Sequence, residues 1–279
     1  MKFLADLHIH TDYDASIGLR HGERPDLMAA AVVDTPLDVV AVTEHNRVTQ
    51  RYLDLQDEVE RLSHGTGRRV DVLLGCEFST HFERHMYHAG FIFEPNGFHR
   101  GNLPAIPDKN CNLDELEQLK KDHPGVVLLF HPTWMDGRGN VPDITQDLMS
   151  SGLVDGVELL NGAFFDSIGR IQRGNHRLNQ KKTERNLENA DSALNMYFEA
   201  KNKLSPRGKK LAAIGNSDAH QASLVGSMAT EFTGSNVHDL FQAIRNGDTK
   251  AVCQVNGAVR NLVRGLISIK GRNRFIRTS

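Results

Sequence analysis

A pair of histidines near the start of the chain, His8 and His10, is the first sign of chemistry in this sequence. The pair lies in the run Asp6-Leu-His-Ile-His-Thr11, whose apolar residues predict a strand. Residues two apart on a strand face the same side, so Asp6, His8 and His10 are expected to share one face. The opposite face would carry Phe3, Ala5, Leu7 and Ile9. Because neutral imidazole is the commonest metal ligand, the pair is typical of a metal site, although a solvated edge strand gives the same pattern.

Polar side chains also follow five further apolar runs, at the point where each predicted strand ends. These runs continue into Glu44-His45-Asn46, Glu77, His131, Asn161-Gly162 and Asn216-Ser217-Asp218-Ala219-His220. In a barrel of parallel strands, the active site lies at the carboxyl ends of the strands. One histidine at a strand end is usually structural, but a series that converges on one rim indicates a functional site.

The elements that must position these residues alternate between apolar runs and helical patterns, which predicts an α/β domain. We expect strands over 3–9, 38–43, 70–76, 87–93, 126–130, 154–160 and 211–215. Helices are expected over 25–34, 48–64, 113–122, 142–151, 171–203 and 237–246. Since the sequence contains no internal repeat and no Pro/Ser-rich linker, residues 1–279 are expected to form a single domain.

Together, the predicted strand ends and the loop after the first strand supply more imidazole and carboxylate groups than one ion needs. The set consists of His8, His10, Asp14, His45, Glu77, His88, His131, Asp218 and His220. A catalytic zinc takes about three protein ligands, so this set suits two or three divalent ions with Glu77 between them. Such nitrogen and oxygen ligands accept manganese, zinc or iron.

Composition places the chain among soluble globular proteins, since 39% of its residues are hydrophobic and 24% are charged. Cys76, Cys111 and Cys253 form no CxxC pair, which favours a reducing compartment over a disulfide framework. The first strand is predicted to begin at Phe3, and no apolar run is long enough to span a bilayer. We therefore expect a cytoplasmic location and no membrane partner.

The order of these motifs closely resembles the polymerase-and-histidinol-phosphatase (PHP) superfamily of metal-dependent phosphoesterases. The resemblance is carried by Asp-Leu-His-Ile-His-Thr, Thr-Glu-His-Asn, Gly-Cys-Glu, Tyr-His-Ala-Gly, Phe-His-Pro, Glu-Leu-Leu-Asn-Gly and Asn-Ser-Asp-Ala-His. It runs from Phe3 to about Val252. It implies a distorted (β/α)7 TIM-like barrel with the metal site at the C-terminal ends of the strands. By the same resemblance, His88 is preferred to His85 as a ligand because Ala-Gly-Phe-Ile-Phe follows it.

The resemblance also implies how the ligands divide among the ions. One ion would sit on His8, His10, Glu77 and Asp218; a second would share Glu77 and add His88 and His131; a third would take Asp14, His45 and His220. Asp6 is expected to lie beneath the ligands as a support. Two positions depart from the family pattern. Glu44 stands where the family usually has Asp, and the acidic residue after the histidine pair usually lies slightly later than Asp14, so that Asp12 competes with it.

The implied activity is hydrolysis of a phosphomonoester or nucleotide phosphate by metal-activated hydroxide. Paired ions would bind the phosphoryl oxygens and lower the pKa of a bridging water. The catalytic residues would be Glu77, Asp218 and His220. Guanidinium groups match phosphate oxygens, so the arginines that follow barrel strands are expected to bind the substrate: Arg47, Arg20 and Arg138. Arg47 is the best candidate because one residue separates it from His45, although any one of the three could be a plain surface residue.

Two basic segments leave other functions open. Residues 259–279 carry six Lys or Arg residues and no acidic one, whereas the rest of the chain has 27 basic and 35 acidic residues. Residues 164–207 are also basic and could form helices over the site or a solvated face. These segments favour a metal-dependent nuclease acting on DNA or RNA ends, but one Trp and four Tyr provide no stacking platform. A catalytically silent metal-binding module that acts through partners is the third hypothesis.

Overall fold

The structure is a computed structural model that describes residues 1–11, 24–82, 85–95, 98, 101–107, 111–132, 148–149, 151–163, 195, 198–200, 202–203, 208 and 210–254. For residues 81–86 it describes no side chains. Several positions that the sequence singles out lie outside the described residues: Asp12, Asp14, Arg20, Arg138, most of the segment 164–207 and the basic tail 259–279.

The described part of the chain contains nine strands that form one sheet, and this sheet curls almost into a barrel. The strands are β1 (Lys2–Ile9), β2 (Val39–His45), β3 (Asp71–Phe82), β4 (His85–Phe93), β5 (Gly125–Phe130), β6 (Gly156–Asn161), β7 (Ala212–Asn216), β8 (Met228–Thr233) and β9 (Lys250–Cys253). Their order in the sheet is β7-β6-β5-β4-β3-β2-β1-β8-β9. Strand β7, at one edge of the sheet, also contacts β8 near the opposite edge, where Gly215 N donates to Thr230 Oγ1 at 3.1 Å. The predicted TIM-like α/β barrel is therefore confirmed.

Four α-helices surround the sheet among the described residues: α1 (Pro25–Asp34), α2 (Arg51–His64), α3 (Leu113–Asp122) and α4 (Val237–Asn246). Local sequence explains where they begin and end. Proline occupies the first turn of α1, and Asn112 with Glu115 forms a capping box at the start of α3. Helix α4 ends at Gly247, whose φ of 65° suits glycine. No helix in the described residues is long and apolar enough to cross a membrane.

Two apolar layers cover the two faces of the sheet. The outer layer packs α1, α2 and α3 against the strands through residues such as Val32, Leu55 and Leu116. The inner layer lies inside the curled sheet and includes Leu7 and Leu128, together with buried side chains of α4. Buried strands that are apolar on both faces explain the continuous Val/Leu runs from which the sequence predicts them.

Strand β4 runs against its neighbours, which explains how a residue near its beginning joins a site at the carboxyl ends of other strands. It pairs antiparallel with both β3 and β5, and His88 lies opposite Ser79 and Phe130. The start of β4 and the ends of β3 and β5 therefore meet at the same rim. The sequence predicts β3 only to residue 76, because the alternating pattern that continues to Phe82 belongs to this hairpin.

Strand β1 breaks the simple alternation expected over Asp6–His10. Its register with β2 shifts between Asp6 and Ile9. As a result, Ile9 belongs to the outer apolar layer, whereas Ala5 and Leu7 belong to the inner one. The expectation that Ala5, Leu7 and Ile9 share a face was wrong, because an irregularity of this kind rotates the residues that follow it.

Candidate metal centre

The rim of the barrel brings together all eight predicted ligands that lie in the described residues. They are His8 and His10 of β1, His45 at the end of β2, Glu77 of β3, His88 of β4, His131 after β5, and Asp218 and His220 after β7. Their ligand atoms form four groups of three within which all atoms lie within 4.8 Å of one another. We call His8, His131 and Asp218 the deep group, and His10, His45 and His220 the rim group. The other two groups both contain Glu77.

Glu77 lies between the two halves of this cluster. Its Oε2 faces Nε2 of His8, His10 and His45 at 3.4, 3.4 and 3.2 Å. Its Oε1 faces His88 Nδ1 at 2.6 Å and His131 Nε2 at 3.0 Å. The two oxygens of this carboxylate thus face different sets of histidines, which is the geometry that a bridging ligand requires.

Asp218 is the second carboxylate of the cluster. Its Oδ1 lies 3.5 Å from His8 Nε2, 3.3 Å from His10 Nε2 and 3.6 Å from His220 Nδ1. The backbone of Asp218 has a φ of 51°, and His131 also has a positive φ, of 23°. Non-glycine residues seldom adopt such angles, and they concentrate at functional sites. These tight turns come directly after β5 and β7.

The donor set fits a divalent metal. Three buried atoms that point into the cluster, His8 Nε2, His10 Nε2 and Glu77 Oε2, have no hydrogen bond. Their separations of 3.2–3.5 Å from facing nitrogen or oxygen atoms lie at or beyond the upper end of ordinary hydrogen-bond distances. Ligands about 2.1 Å from a tetrahedral ion lie about 3.4 Å apart, so the same separations suit atoms that share an ion.

Burial and charge set the protonation of the cluster. Burial lowers the pKa of His10 to about 3 and also lowers the pKa of His45, which leaves both imidazoles neutral. Burial opposes charge on His8 as well, but Asp218, Glu77 and a third carboxylate, Glu158, outweigh it and raise its pKa. Burial likewise opposes charge on Glu77 and Asp218, yet nearby histidines hold both pKa values below their usual range. The two carboxylates are therefore ionised.

Glu158 of β6 lies behind the cluster, and the sequence patterns did not predict that it contacts the cluster. Its Oε1 contacts His8 Nδ1 at 3.1 Å and accepts from Asn216 Nδ2 at 3.0 Å. Its Oε2 accepts from the His131 backbone N–H at 2.8 Å and from Asn161 Nδ2 at 3.0 Å. The signals in the sequence were a charged residue within a mostly apolar strand and its place at the start of the motif Glu-Leu-Leu-Asn-Gly.

Two further acidic residues support the backbone around the cluster. Asp6 accepts hydrogen bonds from the backbone N–H groups of Ser217 and Gly226, both at 3.0 Å, and burial raises its pKa to about 6. Glu44 accepts from the N–H of Thr11 at 3.0 Å and from its hydroxyl. Burial raises the pKa of Glu44 to about 7. Glu44 thus holds the residue after His10, and it belongs to none of the four ligand groups.

The cluster is open on one side. The side chains of His45, His88 and His220 are 19%, 13% and 24% exposed, whereas those of His8 and His10 are inaccessible. Of the three predicted substrate-binding arginines, Arg47 is described, and it is exposed two residues after His45. Arg20 and Arg138 lie outside the described residues.

Solved structures share this fold at low sequence identity. A two-domain Bacteroides vulgatus protein containing a predicted PHP-like metal-dependent phosphoesterase aligns with 91% of this chain at a TM-score of 0.57 and 17% identity. The alignment spans 65% of that protein's length. PsfC from Pseudomonas syringae aligns with 97% of this chain and 98% of its own length, at a TM-score of 0.51 and 17% identity. Among curated protein sequences, none matches this chain.

Family profiles match most of the sequence. The PHP domain matches residues 6–203, and the PHP-associated region matches residues 207–249. The first match begins at Asp6, and the two together include every residue of the cluster described above. The chain therefore belongs to the PHP domain family.

Proposed function

We propose that the chain hydrolyses a phosphomonoester or a nucleotide phosphate with two or three divalent ions held at the rim of the barrel. The observation that carries this proposal is the position of Glu77, whose two oxygens face five histidines that come from four strands or their ends. Bound ions would polarise the phosphoryl oxygens and supply a water of lowered pKa. Nitrogen and oxygen ligands of this kind suit manganese, zinc or iron.

The deep group and the rim group would have different roles at such a site. The deep group, with Glu77, would hold cations where solvent is excluded, and this strengthens electrostatic interactions. The rim group would border the space that the phosphate enters, because His45 and His220 are its two partly exposed members. His220 and Asp218 are hydrogen-bonded neighbours, since His220 Nδ1 lies 3.2 Å from the Asp218 carbonyl oxygen. Asp14 is proposed as a further ligand.

Phosphate recognition is proposed to involve Arg47, with Arg20 and Arg138 as additional candidates. Arg47 is exposed and follows the strand that ends at His45, so it lies next to the open side of the cluster. Guanidinium groups pair with phosphate oxygens through two hydrogen bonds. We also propose that the protein is cytoplasmic and that residues 1–279 form a single domain.

A substrate screen on the full chain tests the proposal. Protein stripped of metal and reloaded with Mn²⁺, or with Zn²⁺, is assayed against phosphomonoesters, nucleotides and labelled DNA and RNA oligonucleotides. We expect turnover of a small phosphate ester that a chelator abolishes and added metal restores. Degradation of oligonucleotides alone would identify a nuclease instead. Bound metal without turnover of any of these substrates would indicate a silent module and contradict the proposal.

A further inference from the structure

Glu158 is surrounded by hydrogen-bond donors on every side. Asn216 Nδ2 and Asn161 Nδ2 each lie 3.0 Å from one of its oxygens, and the His131 N–H lies at 2.8 Å. His8 Nδ1, at 3.1 Å, completes the set. The side chain of Glu158 is fully buried, so no water replaces any of these partners.

Only a carboxylate satisfies this arrangement. An ionised carboxylate accepts at both oxygens and carries no hydrogen, whereas an amide must present N–H groups on one side. A glutamine at this position would direct its N–H groups either at Asn216 and His8 or at His131 and Asn161. Two donors that face each other in a buried place lose a hydrogen bond and remain desolvated.

Two of the four partners of Glu158, His8 and His131, belong to the candidate metal cluster, and the other two are the side-chain amides of Asn161 and Asn216. When a metal ion is bound, the bond from Nδ1 to Glu158 would leave the Nε2 lone pair of His8 directed toward Glu77 and Asp218. The bond to the His131 N–H fixes the turn that has a positive φ. Asn161 donates to Glu158 and also to Asp218 Oδ2, at 3.1 Å, and so connects the two carboxylates.

These contacts all lead to the deep group. Three of the four hydrogen bonds of Glu158 reach His8, His131 and, through Asn161, Asp218. The fourth comes from Asn216, whose Oδ1 accepts from the N–H of Leu7, the residue before His8. None of the four reaches the rim group. His10 instead stacks between the rings of His45 and His220, at centroid distances of 4.3 and 4.2 Å. The two groups are thus held in place by different interactions.

We propose that Glu158 is a positioning residue that sets the metal affinity of the deep group without binding metal itself, and that the rim group binds its ion independently of it. This inference rests on the proposed function, because it requires the cluster to bind metal. Residues that orient metal ligands typically change metal affinity by about 10–100-fold when they are replaced.

The test compares Mn²⁺ binding by the wild-type chain and the Glu158→Gln variant. Metal-free protein is titrated with Mn²⁺ by calorimetry, and bound metal is counted after dialysis. We expect the affinity for one Mn²⁺ equivalent to fall about 10–100-fold while the remaining binding is unchanged. The melting temperature of each metal-free protein is measured in parallel.

Asp155 provides a matched control next to the same strand. It is a buried carboxylate that accepts from the Val127 N–H at 2.9 Å and from Lys120 Nζ at 2.6 Å, and it belongs to none of the ligand groups. Asp155→Asn should lower the melting temperature and leave the Mn²⁺ titration unchanged. This separates positioning of the ligands from a general loss of stability.

Asn161→Ala gives a second, independent variant in case Glu158→Gln does not fold. It removes the connection to Asp218 and should weaken the same Mn²⁺ equivalent. The inference is overturned if the folded variant, either Glu158→Gln or Asn161→Ala, titrates like the wild type. It is also overturned if Asp155→Asn loses the same equivalent. A wild-type chain that binds no Mn²⁺ would overturn the proposed function as well, whereas a wild type that binds normally confines the failure to Glu158.

Discussion

The deep group combines two histidines with a carboxylate and the rim group consists of three histidines, and the two groups are held in different ways. In the deep group, His8 stacks on Phe130 at 3.8 Å and contacts Glu158, and both supports are fully or almost fully buried. In the rim group, the imidazoles of His10 and His45 stack on each other. The deep group is therefore held by buried side chains of the barrel interior, whereas two of the three rim imidazoles, those of His45 and His220, reach solvent.

Replacement of Glu77 should have the largest effect, because this carboxylate faces both groups. Glu77→Gln is expected to lower Mn²⁺ affinity by more than about 100-fold, since even residues that only support ligands cost about 10–100-fold. Metal analysis after dialysis measures the loss. Glu60→Gln, at a side chain that is 73% exposed, is the control and should bind normally. Loss of metal from one group alone would show that Glu77 does not connect them.

Metal-free stability should distinguish a deep histidine from a rim histidine. His8→Ala leaves a buried cavity and deprives Glu158 of a donor, so we expect a loss of about 2–4 kcal/mol in the free energy of unfolding. His220→Ala alters a side chain that is 24% exposed and should cost less than about 1 kcal/mol. Urea unfolding of the metal-free variants measures both. Equal losses would contradict the distinction between the groups.

Gly90 provides a test of the layer beneath the deep group. A Cβ at this position would lie 2.2 Å from the ring of Phe130, the side chain on which His8 stacks. Gly90→Ala should therefore cost about 1–3 kcal/mol and weaken Mn²⁺ binding by the deep group. Gly65→Ala is the control, because the nearest atom to its Cβ would be 3.7 Å away. Unchanged Mn²⁺ binding in a destabilised Gly90→Ala would show that Phe130 does not position His8.

Replacement of Arg47 should have the smallest effect, and it should appear only in substrate binding. An exposed charge pair contributes about 0.2–1 kcal/mol, so Arg47→Ala should raise KM by about 1.4- to fivefold. Metal content and melting temperature should stay at wild-type values. Arg61→Ala, which removes a guanidinium paired with Glu58 on α2, should leave the kinetics unchanged. A KM equal to that of the wild type would remove Arg47 from the site.

The sequence predicts which side chains meet in the cluster better than it predicts their supports. Strand ends mark His45, His131 and Asp218, because apolar runs stop where a barrel strand reaches its rim, whereas Glu77 lies inside β3, directly after the apolar run of that strand. Glu158 lies in the middle of a strand, and its partners come from positions up to 150 residues away along the chain. Contacts between such distant positions are set by the register of the sheet, which no local pattern contains.

The sequence patterns also did not predict strands β8 and β9, for physical reasons. In β8 the adjacent polar residues Thr230 and Glu231 interrupt the apolar ones, and β9 has only four residues, so neither forms a continuous apolar run. Both complete the curled sheet beside β1. The register shift in β1 is equally invisible in the sequence, because it depends on pairing with β2.

A crystal structure of the chain loaded with Mn²⁺, with data collected to locate the anomalous scatterers, tests the central claim most directly. We predict separate peaks beside the deep group and the rim group, each within about 2.0–2.4 Å of its histidine nitrogens, with Glu77 between them. Peaks elsewhere on the surface, or no peak among His8, Glu77 and Asp218, would contradict the account.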